Sequence, residues 1–382
     1  MASTCSDASP FEPEQTANNL EDCPVRVLCL SVYPREGPSV RHRIEVYREA
    51  FAAAGVTLHL WPLLTSGLFR RRRRFGRIAA LVKFCEFVLC TLRLAARLPW
   101  VMRYDSVIIH REAYPVGPPV IEQLVLRLCP RVFYDVDDAV WERMPLRIDQ
   151  RGRWHDPGRF EKIMRGSEVV VVGNDYLRAF AQKFNPRTRI IPTSYRDLGG
   201  RAQRLTRRAR PVILWIGNVG NEEYLGILHE PLRRLAREHA FLFMLVGSAE
   251  ARGYTIEGVD IEVREWSEAS EGDLLLSADI GIMPLPDRPY ERGKCAFKIV
   301  QYFSAGLAVV ASPVGMNAEI INHGRNGCLA DDADAWYECL ARLLSDRAYR
   351  CALGDAGYQT YRQGFTPGVN AEKWLSILTG HT

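Results

Sequence analysis

Two lysines four residues apart, Lys294 and Lys298, lie in the run Arg292-Gly293-Lys294-Cys295-Ala296-Phe297-Lys298-Ile299-Val300-Gln301-Tyr302-Phe303-Ser304-Ala305-Gly306. Ile299, Val300 and Phe303 give this run a helical apolar pattern, and Gly306 supplies its stop. The helix therefore begins beside the two lysines. A helix N-terminus presents unpaired N–H groups and the positive end of the peptide dipole, and both favour a bound phosphate. Lys294 and Lys298 add formal charge at that end. The chemistry predicted here is the holding of a pyrophosphate, as in a nucleotide-sugar site.

A second set of chemistry-bearing residues lies in the first half. Val107-Ile108-Ile109 reads as a strand that ends at His110-Arg111-Glu112. Arg131-Val132-Phe133-Tyr134-Asp135-Val136 reads as a strand that delivers Asp137 and Asp138. The loop Tyr33 to Ser39 leads from the strand Val25 to Leu30 into a helix carrying Arg41, His42 and Arg43. In an open α/β sheet ligands bind beyond the carboxyl ends of the strands, so all three groups are expected to face a cleft. His110 is the catalytic candidate among them. Arg41, His42, Arg43, Arg111, Glu112, Asp137 and Asp138 are candidates for contact with an acceptor.

Strands and helices must alternate to place both sets, and the chain shows that alternation. Ala278 to Leu285 reads as the strand before the lysine loop, and Val309-Val310-Ala311, bounded by Pro313, as the strand after the helix. Val169 to Val172 with a helix from Tyr176 to Phe184 forms another βα unit, which Ile190 to Thr193 leaves. Val212 to Gly217, Phe241 to Gly247 and a weaker Ile261-Glu262-Val263 continue the pattern, and Trp336 to Leu344 reads as a surface helix. The expected fold class is α/β, with two Rossmann-like doubly wound domains. The expected organisation is a disordered polar tail at 1–23, a first domain at 24–200, a basic linker, and a second domain at 210–365. A final segment, 366–382, is expected to pack back on the first domain.

Several motifs in order resemble the C-terminal domain of GT-B glycosyltransferases of the retaining group 1 kind, similar to family 4. They are Asp279 to Leu285, Gly293-Lys294 with Lys298, Gln301-Tyr302, Ala305-Gly306, Val309 to Ser312, and His323-Gly324-Arg325-Asn326-Gly327. Trp215-Ile216-Gly217 with Tyr224-Leu225 fits the first strand and helix of the same domain. The resemblance spans roughly residues 24 to 365 and is strongest from 212 to 330. It implies an enzyme that moves a sugar from a nucleoside-diphosphate sugar to an acceptor hydroxyl on a glycan, lipid-linked or small molecule. It implies two domains facing a central cleft and no cofactor. It places the donor on Gly217, Asn218, Gly293, Lys294, Lys298 and Gln301, with Glu319 nearby, and gives Lys298 and Lys294 the departing diphosphate. Two departures stand out. Where the family often carries Glu, seven residues and Glu, this chain has Gly293 and Gln301, whose amide still suits a ribose hydroxyl. Asn218-Val219-Gly220-Asn221 stands where many relatives place an Arg and a Lys facing the diphosphate. Asp135-Val136-Asp137 spells the Asp-x-Asp metal pattern of the other large glycosyltransferase fold, but the donor site already lies in the second half, so no metal is expected. Rival readings are a GT-B-like nucleotide-sugar epimerase and a non-catalytic protein that binds nucleotide sugar or a membrane surface. The lack of Gly-x-Gly-x-x-Gly after the first strand argues against a dehydrogenase.

Composition narrows the partners. The 382 residues suffice for two buried cores, and a net charge of +5, much of it in Arg70 to Arg74, does not mark a nucleic-acid binder. The ten scattered cysteines form no Cys-x-x-Cys pair, which suits a reducing cytosol, and Met1 onward lacks the pattern of a secretion signal. The apolar segment 78–98 after the arginines is interrupted by Lys83, Glu86, Arg93 and Arg97 on one helical stripe, so it does not span a bilayer. A basic cluster beside such a helix predicts docking on an anionic membrane surface, at the cytoplasmic face.

Overall fold

The computed structural model describes residues 24–71, 77–143, 156, 158–200, 210–217, 222–247 and 253–380. The tail at 1–23, most of the basic linker, Arg72 to Arg74 and Asn218 to Asn221 lie outside them.

Two six-stranded sheets carry the chain, and every strand pair in both is parallel. The first contains β1 (Val25–Ser31), β2 (Val56–Pro62), β3 (Ser106–His110), β4 (Val132–Val136), β5 (Val169–Val172) and β6 (Thr188–Ile190), in the order β2-β1-β3-β4-β5-β6. The second contains β7 (Val212–Ile216), β8 (Leu242–Gly247), β9 (Ile261–Glu265), β10 (Ile280–Met283), β11 (Ala308–Ala311) and β12 (Cys328–Leu329), in the order β12-β11-β10-β7-β8-β9. Runs such as Val-Val-Val-Val in β5 and Val-Ile-Leu-Trp-Ile in β7 are apolar without alternation because both sheet faces are covered. In each sheet the chain reverses its direction of travel once, between β1 and β3 and between β7 and β10. At such a point the flanking connections leave on opposite sides and a crevice opens at the strand ends.

The helices between the strands of the first half are α1 (Pro38–Arg43), α2 (Arg48–Ala53), α3 (Ser66–Arg71), α4 (Arg77–Arg97), α5 (Val120–Leu128), α6 (Arg159–Gly166) and α7 (Asp175–Ala181). The second half has α8 (His229–Glu238), α9 (Glu271–Leu276), α10 (Pro289–Arg292), α11 (Phe297–Ser304), α12 (Met316–Ile320), α13 (Ala333–Ser345), α14 (Arg347–Gly364) and α15 (Pro367–Thr379). Helix α11 ends where its pattern says it should, with Gly306 in the left-handed region at φ +65°. Helix α13 is not a surface helix throughout: Trp336, Leu340 and Leu343 are fully buried against the second sheet, so it presents one apolar stripe to the core. Helix α7 stops at Ala181, three residues before the expected end. Helix α15 crosses back to the first sheet. Its Ala371, Trp374 and Leu378 share a core cluster with Val27, Cys29 and Phe133, and Arg131 donates to the carbonyls of Ile377 (2.9 Å) and Leu378 (2.6 Å).

Helix α4 is apolar on two sides. Cys90 and Leu94 face the core, while Leu81, Val82, Phe84, Val88, Leu89 and Leu92 face outward, Phe84 and Leu89 each 65% exposed. Among the described residues no helix is long and apolar enough to cross a membrane.

Candidate functional site

Gly217, Lys294, Lys298 and Gln301 gather near the β7–β10 switch of the second sheet, and Arg43, His110, Arg111, Asp137 and Asp138 near the carboxyl ends of β1, β3 and β4 of the first. On the second-domain wall, the short loop between α10 and α11 carries Lys294, and the first turn of α11 carries Lys298. The Lys294 ammonium donates to the Tyr224 hydroxyl at 3.3 Å and lies 4.6 Å from the Tyr224 ring centroid and 5.5 Å from that of Tyr290. Tyr224 in turn donates to the buried carboxylate of Glu291 at 2.5 Å. Lys298 reaches toward β7, its ammonium 5.7 Å from the Trp215 ring centroid. Burial, reinforced by the like charge of Lys294 and opposed by Asp138, pushes the Lys298 ammonium down to about 7. Gln301 is buried three residues on from Lys298, on a neighbouring position of the same helix face. Gly217 directly follows β7, its N–H bonded to the Val246 carbonyl.

On the first-domain wall, the ends of β1, β3 and β4 carry a continuous chain of charged and polar groups. Arg43, fully buried, pairs with Asp135 and donates to the Ile191 carbonyl at 2.5 Å. His110 Nδ1 lies 2.6 Å from the second Asp135 oxygen, and His110 Nε2 lies 2.5 Å from Ser39 Oγ. Ser39 Oγ also lies 2.9 Å from Asp137 Oδ2, and Arg111 bridges Asp137 and Asp138. One hydroxyl proton cannot serve both His110 and Asp137, so Ser39 Oγ donates to only one of the two. Burial by itself would raise the Asp135 carboxyl, but Arg43 and His110 outweigh it and hold it below the usual carboxylate range. Asp137 is depressed strongly, with Arg111 and His110 overcoming the cost of burial. Arg111 adopts φ +58°, a strained conformation for a residue with a side chain, and its N–H bonds the Asp135 carbonyl at 2.8 Å.

Several expected site residues take other partners. His110 has both ring nitrogens engaged by protein side chains, so its influence on a substrate runs through Ser39. Arg41 spans the domains to Glu268 (3.4 Å) and Glu271 (3.5 Å) and lies 5.2 Å from the Trp266 ring centroid. His42 is wedged between Tyr195 and Phe297, centroids 5.4 Å and 4.4 Å away, and burial beside Arg41 and Arg196 pushes it well below the ordinary histidine range. Glu112 is half-buried in the turn after β3. Glu319 sits on α12 and meets the Asp175 N–H of α7, and partial burial with the nearby Asp175 carboxylate raises it. The sequence reading passed over Ser39, Tyr224, Glu291 and Cys295, whose partners lie 67 to 158 residues away and leave no local signal. Among the described residues no cluster of three or more His, Cys, Asp or Glu side chains is arranged to hold a metal.

Two parallel six-stranded sheets in this strand order have the GT-B architecture. Residues 210–346 match the family model described as glycosyl transferases group 1, so the second domain is of that family and the protein is a glycosyltransferase. The whole chain is similar in fold to a glycosyltransferase from Rickettsia africae, with a TM-score of 0.68 at 15% identity over 94% of this chain and 98% of that one. The sucrose-phosphate synthase from Thermosynechococcus elongatus matches with a TM-score of 0.64 at 15% identity, covering 93% and 98%. The Anabaena HepE protein, solved with UDP and glucose, matches with a TM-score of 0.60 at 13% identity, covering 93% and 100%. No curated protein matches the chain in sequence.

Proposed function

We propose that this glycosyltransferase takes a sugar from a nucleoside-diphosphate sugar and transfers it, with retention, to an acceptor hydroxyl presented by the first-domain wall. The observation that carries this reading is the pair Lys294 and Lys298 at the start of α11, directly in the crevice between β7 and β10. Breaking the bond between the sugar and the diphosphate leaves negative charge on the leaving group. Fixed cations and helix N–H groups stabilise that charge more in the transition state than in the ground state. Above pH 7 an arriving diphosphate also draws a proton onto Lys298, because an adjacent anion favours the charged form. Gln301 suits a hydroxyl of the ribose, which does not change during transfer. The HepE structure with UDP and glucose is consistent with such a donor. Lys298→Ala is therefore expected to lower turnover by about 10²–10³. Gln301→Ala is expected to weaken donor affinity by about 3–10-fold with turnover nearly intact. Steady-state kinetics on a panel of nucleotide sugars checks both, and parent-like kinetics in Lys298→Ala would remove the diphosphate site.

The outward face of α4 supports a membrane-borne acceptor. Exposed Arg70, Arg71 and Arg93 flank its apolar residues. Both cleft loops of the first domain lean on the same helices: Tyr33 meets Phe69 of α3 at 5.6 Å and Tyr114 meets Phe87 of α4 at 5.8 Å between centroids. Seating α4 in the headgroup layer of an anionic bilayer thus brings the acceptor wall to the surface. Phe84→Ser with Leu89→Ser should release the protein from liposomes rich in acidic lipid in a flotation assay. Equal flotation of variant and parent would discard the docking face.

A further inference from the structure

The loop that leads into α11 is clamped by the other domain. The Asn174 side-chain amide, at the end of β5, donates to the carbonyls of Gly293 (3.2 Å) and Lys294 (3.0 Å). The Cys295 thiol, one residue on, donates to the Asp137 carbonyl at 2.9 Å. Contact at this clamp is so close that neither domain has room for a side chain. A Cβ on Gly293 would lie 2.4 Å from the Ala139 Cβ, and one on Gly173 would lie 2.0 Å from the Cys295 sulfur. Ala296 closes the loop in the left-handed region at φ +47°, fully buried, and the next residue starts α11. A strained residue persists only where its surroundings hold it, and here much of that holding comes from the first domain.

Asn174 also has a purely local task. Its side-chain oxygen caps α7 by accepting from the Leu177 N–H at 2.9 Å. The two ends of one amide thus do separable work: the oxygen stabilises the first domain, and the nitrogen reaches the second.

We propose that Asn174 is a positioning residue for donor binding, its amide nitrogen fixing the Gly293-Lys294 loop so that α11 and its lysines meet the diphosphate. The inference rests on the donor site proposed above and adds a residue from the opposite domain to it. Donor affinity depends on Asn174 although Asn174 itself touches no donor. It also accounts for a glycine at 293, since any side chain there would push the first domain off the loop.

The test separates the two ends of the amide. Serine is a good helix cap but cannot reach the two carbonyls, so Asn174→Ser keeps the cap and removes the clamp. Aspartate also caps, and it turns a carboxylate oxygen toward the two carbonyls. The probe is whichever of UDP, GDP and dTDP the parent binds most tightly, titrated by calorimetry beside thermal unfolding. Asn174→Ser is expected to unfold slightly below the parent, because two carbonyls lose their donor. At a temperature where both proteins are fully folded it should bind the probe about 10-fold more weakly, with Asn174→Asp weaker still. Parent-like binding in Asn174→Ser at that temperature overturns the proposal, as does a loss of affinity confined to temperatures at which the variant is partly unfolded. Lys298→Ala, titrated in parallel, tells whether the donor reading falls with it. A weakened Lys298→Ala beside an unaffected Asn174→Ser removes the positioning role alone.

Discussion

The two walls of the cleft use their charges in opposite ways. On the first-domain wall Arg43, His110 and Arg111 alternate with Asp135, Asp137 and Asp138 in one hydrogen-bonded chain, so each charge is balanced within the wall. On the second-domain wall Lys294 and Lys298 rest on the rings of Tyr224, Tyr290 and Trp215, and each lies in the field of the other. Aromatic faces hold an ammonium in place without neutralising it. One wall is therefore a rigid frame whose electrostatics are settled on folding. The other sets two like charges against each other, and Asp138 of the first domain only partly offsets the strain on Lys298, at some expense of stability.

That contrast breaks if removing a cation has the same effect on both walls. Arg43→Met should be the more damaging, destabilising the fold by about 3–5 kcal/mol, because Asp135 stays buried with its main counter-charge gone. Urea unfolding measures this, and a loss below about 1 kcal/mol would show that the frame does not depend on the pair. Lys298→Met should act in the other direction and stabilise, by roughly 1–3 kcal/mol at pH 6. The sign follows from linkage. The folded protein holds Lys298 at about 7, below its unfolded value, so between pH 7 and about 10.5 the unfolded state binds more protons. Stability of the parent therefore rises with pH through that window, while below it the full cost of a half-buried cation beside Lys294 remains. The advantage of Lys298→Met should shrink from pH 7 to pH 9, and an advantage that is flat or grows would show that Lys298 is not held as a disfavoured cation.

Much of the scaffold was legible because its signals are local. Unbroken apolar runs of four to six residues specify buried parallel strands, and the Ile299-Val300-Phe303 pattern with Gly306 specifies α11. The lysines at the helix start were legible for the same reason, since a dipole end and two charges are a feature of one short segment. Strand β2 was passed over: Val-Thr-Leu-His-Leu-Trp-Pro alternates at an edge, and a proline closes it, so its signal is weaker than that of the central runs. The outward apolar face of α4 was half legible. Periodicity shows that a helix has two apolar sides, but only packing decides which one the core takes.

By itself the sequence determined the βα alternation, the place of α11 and its lysines, and the order of motifs that marks a group 1 second domain. These rest on propensity, period and spacing within some twenty residues, where neighbours in the chain are neighbours in space. The tertiary structure decided which charges are spent and which are kept. His110 and Arg43 look like Lys298 in a sequence, as basic residues near strand or helix ends with a second basic residue close by. Only the fold brings Asp135 between the first two, sets Lys298 against Trp215, and places Asn174 under a loop 119 and 120 residues away. Burial energy and Coulomb energy depend on distance through space, and that distance is created when the two sheets close on each other.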